Sequence, residues 1–447
     1  MNTKEFLSLP PGVKPFEDVV RTPFKLDLGL NISRARDFEL QERYGARRMK
    51  SAPLRVEVAN YRGIKHAVWE PAGVSALVGP SGTGKSTLLD ALLLLHYACT
   101  RTPREAVMAS GGGLGVAGFR HLWMSEHETT QVNLHSEERR WGLEFFGSDI
   151  SRYRENFFAA STARTAGDAT PLVDEVVAIS MYPPWDLHAF RKRPGSDPAL
   201  EEVRLSPDGA NVHVVLQNWR DQERTHGWRY DWVVDQLTRI QSDNVAGLEL
   251  RKANGGLTAR FFPPASEDSL PINAASNGVL STLLTLTAMV GGSDKGIILL
   301  DEPENGLHPA ALRSLVSAAR ELHQKHAIRI AFATHSPVLL DAFGGQPESV
   351  WVTSRTGVKR LSDICEPDWL ANFRLGALYG MEFAVAASNA EPDESASRRK
   401  THNDFEKECD RLRNLQDSDK KTPPIPGPDV LRALEKWLGI VSPSETT

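Results

Sequence analysis

The sequence predicts an α/β fold with a mixed β-sheet, a β-rich lobe and a helical insertion. Three observations lead there. A short apolar strand, Val74 to Val78, runs straight into GPSGTGKST and then into the apolar run LLDALLLLHYA. A second, Gly296 to Leu300, ends on the paired acids Asp301 and Glu302. A third, Ile328 to Ala333, ends at Thr334-His335-Ser336-Pro337. Apolar runs of this kind suit strands buried on both faces of a parallel sheet.

In chain order, residues 1–53 are punctuated by proline, then mixed in charge, and end in the basic Arg47, Arg48 and Lys50. They read as an N-terminal arm. Leu54 to Val58 alternates apolar and polar residues, which suits a strand. LLDALLLLHYA is apolar nearly all round, so it predicts a buried helix. From about 110 to 165 the pattern is glycine-rich and then β-like, with strands at Gln131 to Leu134 and Trp141 to Phe146. Residues 166–265 carry helical stretches near Ala210 to Trp219 and Trp232 to Ile240. Leu248 to Phe262 follows as a hairpin around Asn254-Gly255-Gly256. Helices are expected over Asn277 to Val290 and Ala310 to His323. After about residue 388 the chain is polar and charged, a tail with one short helix at Val430 to Leu438. There is no internal repeat and no sustained heptad pattern.

The bulk numbers fit a soluble globular chain of 447 residues with 40% hydrophobic and 24% charged content. A net charge of −5 provides no global basic field, so any nucleic-acid contact must come from a local patch. The three cysteines, Cys99, Cys365 and Cys409, form no paired motif and read as reduced thiols of a cytoplasmic protein. The N-terminus has no apolar signal core. No run approaches the roughly 18 apolar residues of a membrane span. No membrane association is expected.

Gly79-Pro80-Ser81-Gly82-Thr83-Gly84-Lys85-Ser86, followed by Thr87, fits the phosphate-binding pattern G-x-x-x-x-G-K-[ST]. Glycines let backbone N–H groups turn inward onto phosphate oxygens. The following helix N-terminus favours an anion. Lys85 is placed to reach the β and γ phosphates of ATP, and the Ser86 hydroxyl to hold Mg²⁺. Asp301, at the carboxyl end of its strand, is the second expected Mg²⁺ ligand. Glu302 is placed to polarise the attacking water.

LLDEPENGLHP, with ATHSP some thirty residues later, resembles the Walker B, D-loop and switch-histidine set of the ABC superfamily. More narrowly the chain is similar to compact AAA-family ATPases of the OLD/SMC-like group. VEVANYRGIK resembles that group's opening strand, SPDGANVHVVL its central segment, and FRLGALYGMEF its closing segment. LPINAASNGVL occupies the position of the signature motif. Ser276-Asn277-Gly278 keeps the serine and glycine, while Val279 replaces the usual acid or glutamine.

The resemblance implies an ABC/SMC-head-like ATPase over residues 54–387, with the phosphate loop in 54–165, an insertion in 166–265, and the signature, Walker B and switch histidine in 266–387. It also implies a homodimer, or a higher homo-oligomer, formed around ATP. Ser276, Gly278 and their helix N-terminus make an anion site with no lysine of its own, suited to capping a γ-phosphate held by a second copy. His335 is expected to hydrogen-bond the γ-phosphate or the lytic water. His308 reads as a structural D-loop residue. Asn60 and Arg62 are candidates to line the nucleotide, and Gln131 falls where a Q-loop glutamine would lie.

OLD nucleases add a Toprim domain, and no such pattern follows here. The first functional expectation is therefore an ATPase sensor or scaffold that controls a separate effector, a nuclease or toxin, in antiviral defence. The ATPase subunits of PARIS and Septu systems work in this way. The second is a RecF-like repair ATPase acting on DNA. Contacts would come from Arg191-Lys192-Arg193 and from Trp219, Arg220, Arg224, Trp228, Arg229 and Tyr230. A transporter subunit is disfavoured by the long segment between phosphate loop and signature.

Overall fold

In a computed structural model, the described residues are 54–99, 101, 103–110, 129–136, 139–146, 153–159, 172–192, 201–253, 256–264, 266–354, 357–364, 370 and 374–380. The N-terminal arm, the tail with its expected helix at Val430 to Leu438, and the glycine-rich stretch after residue 110 lie outside them.

Fourteen strands among the described residues form three sheets. Strands β1 (Leu54–Tyr61), β2 (Ile64–Trp69), β3 (Val74–Val78), β4 (Thr129–Ser136), β5 (Arg139–Phe146), β6 (Tyr153–Ala159) and β7 (Ser180–Tyr182) come first. They are followed by β8 (Gly247–Ala253), β9 (Gly256–Phe262), β10 (Leu270–Pro271), β11 (Ile297–Asp301), β12 (Arg329–Thr334), β13 (Val350–Ser354) and β14 (Gly357–Arg360). A five-stranded antiparallel sheet has the order β2-β1-β4-β5-β6. A six-stranded sheet has the order β14-β13-β3-β12-β11-β7. Its strands are parallel except for β14 at the edge. The hairpin β8-β9, with the short β10, makes the third sheet.

The central sheet is buried on both faces, and its alternation shows it. Ala76, Ile298, Leu300, Ile330 and Phe332 enter one core with the helices Asn277–Val290 and Pro309–His326. Leu77, Ile297, Leu299, Ala331 and Ala333 enter a second core with the helix Lys85–Ala98 and the inner face of the five-stranded sheet. That helix is held by Leu88, Leu89, Leu92, Leu94 and Leu95, none more than 1% exposed. Full burial of each such side chain stabilises by about 1.5–3 kcal/mol.

Register places the functional ends side by side. Val78 pairs with both Thr334 and Val352, and Asp301 pairs with Ala333. The carboxyl ends of four parallel strands therefore open at one level, where ligands bind in sheets of this class.

Candidate functional site

The loop after β3 turns on three glycines with positive φ: Gly79 at 150°, Gly82 at 78° and Gly84 at 98°. Glycine at 79 is required twice over. A Cβ there would stand 2.3 Å from the Thr353 hydroxyl and 2.5 Å from the Thr353 carbonyl oxygen. The Thr83 hydroxyl donates to the Pro80 carbonyl at 2.8 Å and contacts the Thr353 hydroxyl at 2.7 Å. The Thr353 hydroxyl in turn donates to the Val78 carbonyl at 3.1 Å. Ser81 and Gly82 are exposed at the loop's crest.

Lys85 is 6% exposed and donates to the carbonyls of Gly79 at 2.7 Å and Pro80 at 3.1 Å. Burial pushes its ammonium down to about 8, against the upward pull of the Asp301, Glu302 and Glu304 carboxylates. A cation held by carbonyls in a desolvated cleft is primed to exchange them for phosphate oxygens, which carry full charge.

The exposed Ser86 hydroxyl donates to Asp301 Oδ2 at 3.0 Å. Burial raises the Asp301 carboxyl to about 6, with the Ser86 hydrogen bond opposing it. A hydroxyl and a carboxylate in contact, both hard oxygen donors, suit Mg²⁺ with the remaining ligands supplied by water and phosphate. Among the described residues no cluster of three or more His, Cys, Asp or Glu side chains competes for a metal.

Glu302 adopts a left-handed φ of 45°, a conformation costly for a side-chain-bearing residue and concentrated at functional sites. Its N–H continues the ladder to the Ala333 carbonyl at 2.8 Å, while its carboxylate turns into the cleft. There Oε1 lies 4.0 Å from His335 Nε2, and Oε2 accepts from Asn305 Nδ2 at 3.3 Å. His335 follows β12. Burial, with Lys85 nearby, lowers its pKa, so the neutral ring dominates at neutral pH. The structure thus brings together Lys85, Ser86, Asp301, Glu302 and His335.

Four residues that the motif reading left out complete the cleft. Glu304 Oε1 accepts from the Thr334 hydroxyl at 2.8 Å and from the His335 N–H at 2.9 Å, clamping the end of β12. Thr353 braces the phosphate loop from β13. The Tyr379 hydroxyl lies 3.1 Å from His335 Nδ1 and 3.0 Å from the Gly79 carbonyl oxygen. Tyr379 stands in the quoted closing segment, which assigns it no role. Glu304 and Thr334 stand inside LLDEPENGLHP and ATHSP, where the motifs assign neither a role. Thr353 lies in no quoted motif and no strand was expected around it.

Ser276 and Gly278 stand elsewhere. Ser276 N-caps the helix Asn277–Val290, accepting from the Val279 N–H at 3.3 Å. It lines an open hollow of about 340 Å³ with Asp243, Asn244 and Phe261, and none of the lining residues belongs to the phosphate loop. Arg191 braces this helix end, donating to Asn277 Oδ1 at 2.8 Å and to the Asn273 carbonyl. Gly278 lies against the D-loop, where a Cβ would meet the Gly306 carbonyl oxygen at 3.6 Å. The Ser281 hydroxyl donates to the Asn305 carbonyl at 3.3 Å. Asn305 therefore touches both Glu302 and the signature helix.

Several candidates take structural roles. Asn60 Nδ2 donates to the Thr129 carbonyl at 3.0 Å, and Arg62 pairs with Asp90 on the phosphate-loop helix. Gln131 donates to Glu144 at 2.8 Å within the five-stranded sheet. His308 caps the helix Pro309–His326, as a structural D-loop residue should. The rings of the aromatic-basic stretch pack inward, while Arg220 and Arg224 stay exposed. Trp219 is fully buried and donates to the Val203 carbonyl at 2.9 Å. Trp228 stacks on His326 with centroids 3.8 Å apart, and the Tyr230 hydroxyl donates to the Leu248 carbonyl at 3.4 Å. Arg229 lies over the Trp219 and Trp228 rings. Trp219 is core, and Trp228 and Tyr230 are half-buried and packed against it. Arg193 lies outside the described residues.

Two family models match parts of the chain. Residues 54–103 match the family described as "P-loop containing region of AAA domain". Residues 186–341 match the family described as "AAA domain, putative AbiEii toxin, Type IV TA system". No curated protein matches the chain. Among solved structures it is similar to an Smc head bound to the C-terminal winged-helix domain of ScpA. The identity is 14%, with 65% of this chain and 92% of that one covered, and the TM-score is 0.45. A Pyrococcus furiosus Smc head with an extended coiled coil, bound to the C-terminal domain of ScpA, gives 14% identity, coverage of 69% and 95%, and a TM-score of 0.43. The Thermotoga maritima SMC head gives 13% identity, coverage of 65% and 92%, and a TM-score of 0.36.

Proposed function

We propose that this chain, which carries AAA-type P-loop ATPase domains, binds and hydrolyses ATP with Mg²⁺ as a dimer of two copies. The observation that carries this reading is the single cleft in which Lys85, Ser86, Asp301, Glu302 and His335 meet. Lys85 would hold the β and γ phosphates. Ser86 and Asp301 would hold Mg²⁺, which when bound offsets phosphate charge. Glu302 accepts a proton from the attacking water, and His335 orients that water. Within one copy Ser276 and Gly278 do not line this cleft. Supplied by a second copy, their helix N-terminus would close it over the γ-phosphate.

The test uses Glu302→Gln and Ser276→Arg in the full chain. Glu302→Gln keeps ATP binding, slows turnover by about 10²- to 10⁴-fold, and traps a dimer seen by light scattering with ATP and Mg²⁺. Ser276→Arg keeps binding yet abolishes turnover. Full turnover in Glu302→Gln refutes the role of Glu302. Full turnover in Ser276→Arg refutes the dimer.

We assign the chain to the OLD/SMC-like group on its motifs, and propose that it serves as a cytoplasmic sensor or scaffold for a separate effector in antiviral defence. The toxin–antitoxin wording of the family matched over 186–341 is compatible with a paired partner. Affinity purification from the native host with ATP present should recover a nuclease or toxin. Recovery of this chain alone would count against it. The RecF-like reading loses ground, because Trp219 is buried and Trp228 and Tyr230 are half-buried with their rings packed against the core.

A further inference from the structure

His335 is held at one ring nitrogen, and that bond decides what the other can do. Its Nδ1 lies 3.1 Å from the Tyr379 hydroxyl, which itself lies 3.0 Å from the Gly79 carbonyl oxygen. A phenol has one proton to donate, and a carbonyl can only accept. The Tyr379 proton therefore goes to Gly79, and the hydroxyl's lone pair faces His335. Nδ1 must carry the proton in that bond. In the neutral ring, Nε2 is left with a lone pair and no proton. This is the nitrogen on the Glu302 side of the cleft, 4.0 Å from Oε1. Burial raises the Tyr379 phenol above its ordinary range, so the hydroxyl remains a donor across neutral pH.

The placement of Tyr379 is built into the fold. Its short helix, Leu375–Gly380, rests on the helix Pro337–Asp341 that begins two residues after His335. Gly376 makes the approach: a Cβ there would stand 2.0 Å from the Pro337 carbonyl oxygen. Its N–H donates to Asp341 Oδ1 at 2.8 Å. The same Gly79 carbonyl also accepts from Lys85 at 2.7 Å. A phosphate that draws Lys85 away would leave Tyr379 as that oxygen's remaining side-chain donor.

We propose that Tyr379 is a positioning residue that fixes His335 as the Nδ1-protonated tautomer, so that Nε2 offers a lone pair to the water attacking the terminal phosphate. This rests on the hydrolytic reading above and narrows it. Neutral His335 accepts a hydrogen bond from the water. It donates none to the γ-phosphate through Nε2, since that bond requires the imidazolium.

The test is a long-range ¹⁵N–¹H spectrum of the full chain labelled with ¹⁵N-histidine, recorded near pH 8, with His335 assigned by its loss in His335→Gln. The wild type should show Nδ1 protonated and Nε2 bare at His335. In Tyr379→Phe the two nitrogens should average toward a mixture of tautomers. ATP turnover should fall about tenfold while nucleotide affinity stays within about twofold. Three results would overturn the proposal: a wild-type His335 protonated at Nε2, an unchanged tautomer in Tyr379→Phe, or an unchanged kcat in that variant. Should Tyr379→Phe fail to fold, the wild-type spectrum alone decides. A wild-type chain with the expected tautomer but no turnover would overturn the hydrolytic reading and the role of Nε2, leaving the Tyr379–His335 hydrogen bond standing.

Discussion

Lys85 and Asp301 carry charges that burial disfavours, and both are meant to be relieved by ligand. Burial lowers the ammonium to about 8 and raises the carboxyl to about 6. Asp301 loses its charge as pH falls through about 6, and with it the proposed grip on Mg²⁺. Lys85 loses its charge as pH rises through about 8, and with it the proposed grip on phosphate. Mg-ATP affinity, followed by calorimetry, should therefore peak between these values and fall on both sides. In Lys85→Ala the phosphates lose their main cation, so a fluorescent ATP analogue should show no saturable binding. Both residues were legible from spacing alone, because the loop pattern and the acid-ended strand each fix a side chain relative to a backbone turn. Tyr379, Thr353 and Glu304 were not. Each acts through hydrogen bonds made possible by tertiary approach, and a lone tyrosine or threonine in sequence carries no mark of that.

At the scale of elements, the apolar runs were read with little error. The helix expected over Asn277 to Val290 spans Asn277–Val290, and the strand expected from Ile328 forms Arg329–Thr334. Runs buried on both sides leave little choice of face. The short β7, only Ser180–Tyr182, escaped because three residues set no period. The segment around Trp219 shows the opposite failure. Interleaved rings and arginines read as a solvated face or a nucleic-acid surface, yet the helices Val212–Asp221 and Trp228–Ile240 turn the rings inward and lay Arg229 across them. Charge was visible in the sequence and the facing of the helix was not. Trp219→Ala should therefore cost about 3–5 kcal/mol of stability in chemical denaturation, the loss expected of a buried aromatic.

Over the whole molecule, the central sheet gathers nucleotide chemistry at its carboxyl edge, while the serine-glycine helix presents its N-terminus apart from that cleft. Asn305 spans the distance between them, bonding Glu302 through its amide and Ser281 through its carbonyl. In the proposed dimer, a copy cannot shift its own Glu302 without disturbing the surface that it lends to its neighbour. The two pockets would then fire together. ATP turnover should be sigmoidal, with a Hill coefficient approaching about two. Asn305→Ala should flatten the curve toward a hyperbola while one round of binding survives. Through this one amide, occupancy on one side of the pair becomes timing on the other.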